Sequence, residues 1–219
     1  MPSMTARVRL SIPLILAERT DMGFFNWAAP LVRRFGDRFT ELDAAEIAGW
    51  LRPAVEPGGR VLDVGGGAGQ LAVLLADTLK ASVTVLDPTP QMLDHVPARP
   101  GVTAVSGVAE AMPFSDSEFD AVVVSDAFHH FRDQPGAVKE FSRVVRSGGL
   151  VLVLELDPSG LLMRLIVIGE KLLGEPGAFF TPAEMCGFMA HEGITGQCES
   201  LRKADYRFLG VVEKPGETA

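Results

Sequence analysis

Cysteine is nearly absent. Cys186 and Cys198 are the only two in 219 residues, and neither has a histidine or further cysteine beside it at metal-ligand spacing. A disulfide framework and a structural metal site are therefore not expected, and the pair reads as reduced packing residues. Dense basic clusters are missing as well. Twenty Lys and Arg against twenty-eight Asp and Glu leave a net charge of −8, without the electrostatic footprint that a phosphate backbone requires, so no nucleic-acid partner is expected. Long apolar runs are lacking too: Leu161 to Ile168 comes nearest, is interrupted by Arg164, and falls short of the roughly 20 apolar residues of a membrane span. The stretch Leu10 to Ala17 imitates a secretory signal only superficially, since it is short, contains Pro13 and runs into Glu18-Arg19. It reads as a lid helix or an irregular terminus, and the expected location is the cytoplasm. With no internal repeat and no low-complexity tract, a chain of this length suits one α/β domain with a modest elaboration.

What is present is concentrated in Val61-Leu62-Asp63-Val64-Gly65-Gly66-Gly67-Ala68-Gly69-Gln70, an apolar run that breaks into glycines and resumes as Leu71, Val73, Leu74 and Leu75. That pattern predicts strand, tight turn, helix. Glycines at 65, 67 and 69 let a ligand lie against main-chain atoms at the C-terminal end of a buried strand. The dinucleotide fingerprint needs a third glycine where Gln70 stands, so the register disfavours a nicotinamide oxidoreductase. A second apolar strand, Val83 to Leu86, ends in Asp87, whose carboxylate suits both hydroxyls of a ribose. The pair of features points to an adenosine-containing ligand without a pyrophosphate.

Elsewhere Thr40 to Val55 has helical spacing, with Asp43 and Glu46 placed as an N-cap and its partner three residues on. A short helix is predicted around Gln91 to Asp94, a third strand over Val102 to Ser106, and a fully buried strand over Asp120 to Ser125. Pro135 to Arg146 reads as a helix stopping at Gly148-Gly149, followed by a fifth strand from Leu150 to Leu156. Strands alternating with helices this way imply a parallel sheet with right-handed crossovers. Thr181-Pro182-Ala183-Glu184 is a capping box opening a helix to about His191, and two late extended runs, Gly196 to Leu201 and Tyr206 to Val212, predict a hairpin at the sheet edge.

The glycine segment, Leu86-Asp87-Pro88 with Gln91-Met92-Leu93, Ala109 to Phe114, Phe119-Asp120 and Ser125 to His130 occur in order, and together resemble class I S-adenosylmethionine-dependent methyltransferases. The likeness is to the group with the ubiquinone and menaquinone biosynthesis enzymes, the type 11 methyltransferase domain, over about Phe24 to Lys214. It implies a three-layer, Rossmann-like sheet of seven strands, only the last antiparallel, with an N-terminal helical lid. On that pattern residues 1–219 form one domain: a helical cap over 1–55, a cofactor-binding core over 56–158, and an acceptor cover with the terminal hairpin over 159–219. The implied activity is methyl transfer from S-adenosylmethionine to a small, apolar or aromatic molecule. A binding module without turnover is the rival.

Carried over by position, the resemblance sets the Gly65 and Gly67 backbone against the methionine end of the cofactor and Asp87 on its ribose. Pro88 and Met92 line the adenine, Ala109 offers its backbone N–H to an adenine ring nitrogen, and Ser125 closes the fourth strand at the site. Val108 is a departure, because relatives commonly have an aspartate there to accept from the adenine amino group; Glu110 or water is the available substitute. Asp63 either caps the glycine turn or meets the cofactor's ammonium group, since a buried strand-end carboxylate needs a partner. His129 and His130 follow the fourth strand where the methyl group should project, and either could take a proton from the acceptor or simply shape the wall. His130 is the one chosen here as base, with Asp126 available to orient either ring. His95 and His191 read as surface residues. Phe24-Phe25-Asn26-Trp27 and Leu161 to Phe180 lie where the acceptor cover belongs, and their large apolar side chains imply an apolar acceptor or plain core packing.

Overall fold

The computed structural model describes residues 39–160, 178–201, 205–214 and 216. Residues 1–38 and 161–177 lie outside them, and with them the expected N-terminal lid and the expectations for Phe24 to Trp27 and for residues 161–177 of the acceptor cover.

Helix α1 (Glu41–Leu51) precedes β1 (Arg60–Val64), α2 (Gln70–Leu79), β2 (Ser82–Asp87), the single turn α3 (Pro90–Leu93) and β3 (Val102–Ser106). Then come β4 (Phe119–Ser125), a 3₁₀ turn (Phe128–His130), α4 (Gln134–Val144), β5 (Val145–Leu156), α5 (Pro182–His191), β6 (Thr195–Ser200) and β7 (Asp205–Val211). The seven strands form one sheet in the order β3-β2-β1-β4-β5-β7-β6. All neighbours from β3 to β5 pair in parallel, while β7 runs antiparallel to both β5 and β6. The terminal hairpin is therefore inserted with its second strand inward, and β6 takes the edge.

Alternation along β4 explains the three layers. Phe119, Val122 and Val124 join a core with α4 and α5 residues such as Phe141 and Met185, whereas Ala121 and Val123 face the opposite core with Leu51 of α1 and Leu75 of α2. A strand buried on both faces must be apolar there, as Ala121 to Val124 is. On the second face Arg207 of β7 lies over the Trp50 ring of α1, 4.5 Å from its centroid, a cation–π contact.

Two local expectations need correcting. The capping box of α1 is formed by Thr40 and Asp43, not Asp43 and Glu46: Asp43 N donates to Thr40 Oγ1 at 3.2 Å while Asp43 Oδ2 accepts from Thr40 N at 2.8 Å. Both pairs have the right spacing, and threonine's extended backbone settles the register one turn earlier. Gly148-Gly149 is not a helix exit either. Helix α4 ends at Val144 and β5 begins at once, with the register against β4 shifting between Phe119↔Val145 and Ala121↔Leu150. The glycines form that irregularity: Gly148 has φ 74°, and a Cβ on Gly149 would stand 2.6 Å from the Asp120 carbonyl oxygen.

Candidate cofactor and methyl-transfer site

β1 is flanked by β2 on one side and β4 on the other, so crossovers leave it in opposite directions and open a crevice at the C-terminal strand ends. The glycine loop fills its floor. Gly65, Gly67 and Gly69 have φ of 72°, 54° and 73°, the left-handed region that a side chain disfavours. Added Cβ atoms would stand 2.6 Å from Ala127 Cβ at Gly65 and 3.0 Å from Met92 Cε at Gly67. The loop therefore packs against both the segment after β4 and helix α3.

Asp87, buried at the end of β2, ties this floor together. Its Oδ2 accepts the Gly67 amide at 3.0 Å and its Oδ1 the Thr89 amide at 2.8 Å. Burial raises its pKa, and those two amides pull it back. An ionised carboxylate has about four lone-pair directions, so beyond the two amides and the Thr89 side chain it retains capacity for a further donor. Pro88 is exposed beside it.

Asp63, next to the C-terminal end of β1, is 1% exposed, and its Oδ2 has no hydrogen-bond partner among the described residues. It lies under the loop, 2.5 Å from where a Gly66 Cβ would stand. Burial, then the Asp87 charge, pushes its pKa up to about 7. The loop amides go elsewhere: Gly65 N to Leu86 O at 2.7 Å, Gly67 N to Asp87 and Gly69 N to Gly66 O at 2.9 Å.

Ala109 is buried and Val108 is 44% exposed, bridged to Ala111. Glu110 is committed nearby, its Oε1 accepting the Arg132 amide at 2.8 Å and the Asp133 amide at 3.2 Å. The segment is anchored from behind by a residue that sequence reasoning missed. Arg143 of α4 donates to the carbonyls of Met112 (3.0 Å) and Phe114 (2.7 Å), and Glu140 Oε2 accepts the Met112 amide at 2.7 Å.

Ser125 ends β4, followed by Asp126 at φ 52°. The two histidines then occupy different settings. His129 is buried, with Nδ1 2.8 Å from Glu155 Oε2, its ring stacked on Phe179 at 4.2 Å and against His130 at 3.9 Å. His130 is partly buried, and burial together with the neighbouring His129 pushes its pKa down to about 3. Asp126, His129 and Glu155 bring ligand-type atoms within 4.8 Å of one another. Glu155 was not foreseen: it comes from β5, and only sheet register reveals the pairing. His95 and His191 are exposed, in line with the surface reading.

Residues 62–153, the strands and loops just described, match a protein-family model described as a methyltransferase domain. A methyltransferase of uncharacterised activity from Mycobacterium bovis is 41% identical over 105 residues, 48% of this chain and 42% of the relative. The demethylmenaquinone methyltransferase of Chlorobaculum tepidum is 35% identical over 107 residues, 48% and 44% of the two chains. The chain spans less than half the length of these curated relatives. Among solved structures, a methyltransferase-like chain in complex with the Haloferax volcanii Trm112 activator superposes with a TM-score of 0.76 at 19% identity, over 87% of this chain and 98% of that one. Over residues 62–153 the chain thus matches a methyltransferase domain on a fold shared with solved methyltransferases, and it is similar there to menaquinone-biosynthesis methyltransferases, in line with the resemblance.

Proposed function

We propose that this chain transfers the methyl group of S-adenosylmethionine to a small, apolar or aromatic acceptor in the cytoplasm, releasing S-adenosylhomocysteine. What supports the cofactor is the lone buried oxygen of Asp63 beneath a glycine loop that Asp87 holds open. An unpartnered buried carboxylate is costly, and the cofactor's ammonium group is a partner of the right charge. The remaining capacity of Asp87 suits the ribose, Met92 and Pro88 flank the adenine, and Ala109 N–H meets a ring nitrogen. Val108 leaves the adenine amino group to solvent, since Glu110 Oε1 already serves residues 132 and 133.

When bound, the cofactor supplies an activated methyl group, so the chain's own task is to orient the acceptor, exclude water and receive a proton where one is lost. The pair His129 and His130 stands beside the glycine loop for that last role. Residues 56–158 serve as the cofactor core and 159–219 as acceptor cover and hairpin. Phe179 and Phe180, the described end of that cover, pack on His129 and on Phe128. Their apolar character supports an apolar or aromatic acceptor.

Incubation with methyl-labelled S-adenosylmethionine and a panel of hydroxylated quinones and phenols tests this reading. Label in an organic-extractable product with matching S-adenosylhomocysteine supports it. Binding of cofactor with no transfer to any acceptor favours the non-catalytic module, and binding of NAD in its place favours the oxidoreductase.

A further inference from the structure

Resting on the methyl-transfer reading, we propose that Glu155 is a positioning residue for His129, fixing its proton on Nδ1 and balancing the imidazolium, so that His129 Nε2 receives the acceptor's proton. The base role then passes from His130 to its neighbour. The acceptor class this serves is one with an ionisable hydroxyl, such as a phenol or enol.

Glu155 lies next to the C-terminal end of β5, an interior strand of the sheet, and is 5% exposed, where a carboxylate is costly unless satisfied. Its two oxygens divide the work. Oε1 accepts the Phe128 amide at 2.8 Å and thereby holds the 3₁₀ turn that carries the histidines. Oε2 meets His129 Nδ1 at 2.8 Å. A carboxylate only accepts, so in neutral imidazole the proton belongs on Nδ1 and the lone pair on Nε2. Stacking on Phe179 fixes the ring plane, and the His129 carbonyl accepts the Ala178 amide at 3.2 Å, joining the turn to the cover. The backbone is fixed next to the cofactor floor, since Ala127 touches Gly65.

The His130 ring lies against that of His129, 3.9 Å between centroids. Its environment disfavours the protonated form, which makes it a poor proton acceptor and a suitable neutral wall. Among the described residues the ionisable groups around the pair include Asp126 after β4, Tyr206 opposite Glu155 on β7, and Asp157 beyond β5. Burial, then the Glu155 charge, holds the Tyr206 phenol well above its usual range, so it stays protonated throughout.

In the step itself, the acceptor oxygen forms its bond to the methyl carbon while the carbon–sulfur bond breaks and its electron pair remains on sulfur. The hydroxyl proton passes to His129 Nε2. Charge balances, because a sulfonium and a neutral imidazole become a thioether and an imidazolium facing Glu155.

The test is an NMR titration of the histidine side-chain nitrogens in the full chain, with His129→Asn to assign the signals. In the wild type the neutral His129 should be the Nδ1–H tautomer. Glu155→Gln should move its midpoint to lower pH by more than one pH unit, the size of effect expected on losing an adjacent opposite charge. Glu155→Asp, which keeps the charge, should recover part of that change and controls for damage to the turn. With 1-naphthol as probe acceptor, Glu155→Gln should cut kcat at least tenfold, leave the KM for S-adenosylmethionine within twofold, and shift the pH profile in parallel. An unchanged His129 midpoint, or the opposite tautomer, would overturn the proposal. So would a shifted midpoint with unaltered turnover, which would leave Glu155 a fold residue only. If the wild type transfers no methyl group to 1-naphthol or any other acceptor, the methyl-transfer reading fails, and with it the catalytic half of the proposal, while the titration still decides the pairing.

Discussion

Asp87 Oδ2 accepts the Gly67 amide at 3.0 Å, so the acid that ends β2 also clamps the glycine loop that leaves β1. Ligand contact and loop geometry therefore share one carboxylate. Asp87→Ala should weaken S-adenosylhomocysteine binding by about 1.5–3 kcal/mol or somewhat more, at least tenfold in Kd, because it removes hydrogen bonds to a charged group and loosens the loop. Calorimetry on a folded variant checks this, and an unchanged Kd would remove Asp87 from the site.

Asp63 ties stability to pH. Its carboxyl is held near 7 in the folded protein against 3.8 for an ordinary aspartate, so the folded state keeps a proton that the unfolded chain has released. The stability this confers is complete below the unfolded value, declines as pH rises between the two, and is lost above about 7. The ligand-free protein should accordingly melt lower at pH 8 than at pH 6, and Asp63→Asn should flatten that difference. Cofactor affinity should run the other way in the wild type, increasing as Asp63 ionises to meet the ammonium group. Equal melting profiles for wild type and Asp63→Asn would refute this coupling.

Gly65 packs against Ala127, the residue that leads into the histidine turn. An alanine there meets Ala127 Cβ at 2.6 Å with a backbone φ of 72°, and Ala127 has no flexible side-chain end that could give way. The left-handed conformation alone costs a non-glycine residue roughly 1–2 kcal/mol. Gly65→Ala should lower the melting temperature and abolish measurable S-adenosylhomocysteine binding, whereas Gly49→Ala, on open space in α1, should do neither.

How much of this was legible beforehand depended on whether the signal was local. The third strand was placed residue for residue by its apolar run, and the Thr181, Pro182, Glu184 start of α5 by its capping pattern. The glycine loop and Asp87 were readable because left-handed turns and strand-end acids leave short, specific spellings. Thr40 and Asp43 both have a residue of the right type three positions later, so the cap register is ambiguous in sequence. Gly148-Gly149 looked like a helix stop because a bulge and a C-cap both call for glycine, and only pairing with Phe119 and Ala121 tells them apart. Glu155 is 26 residues from His129 in the chain, so their pairing existed only once β4 and β5 were in register.

Arg143 was likewise hidden by distance. Since it holds two carbonyls of the segment that carries Ala109, Arg143→Ala should act on cofactor binding without touching the cofactor. Loss of those hydrogen bonds should lower the melting temperature and weaken S-adenosylhomocysteine binding about three- to tenfold, ~1 kcal/mol. Arg143→Lys, which cannot fork between two carbonyls, should recover only part of the loss. Wild-type affinity in Arg143→Ala would mean the segment is positioned without it.

The most direct measurement of the central claim is isothermal titration of the full chain with S-adenosylhomocysteine and, separately, with NAD. The site formed by Asp63, the glycine loop and Asp87 predicts saturable one-to-one binding of S-adenosylhomocysteine that Asp87→Ala weakens at least tenfold, and no saturable heat with NAD. Binding of NAD alone, or S-adenosylhomocysteine binding indifferent to Asp87→Ala, would contradict it.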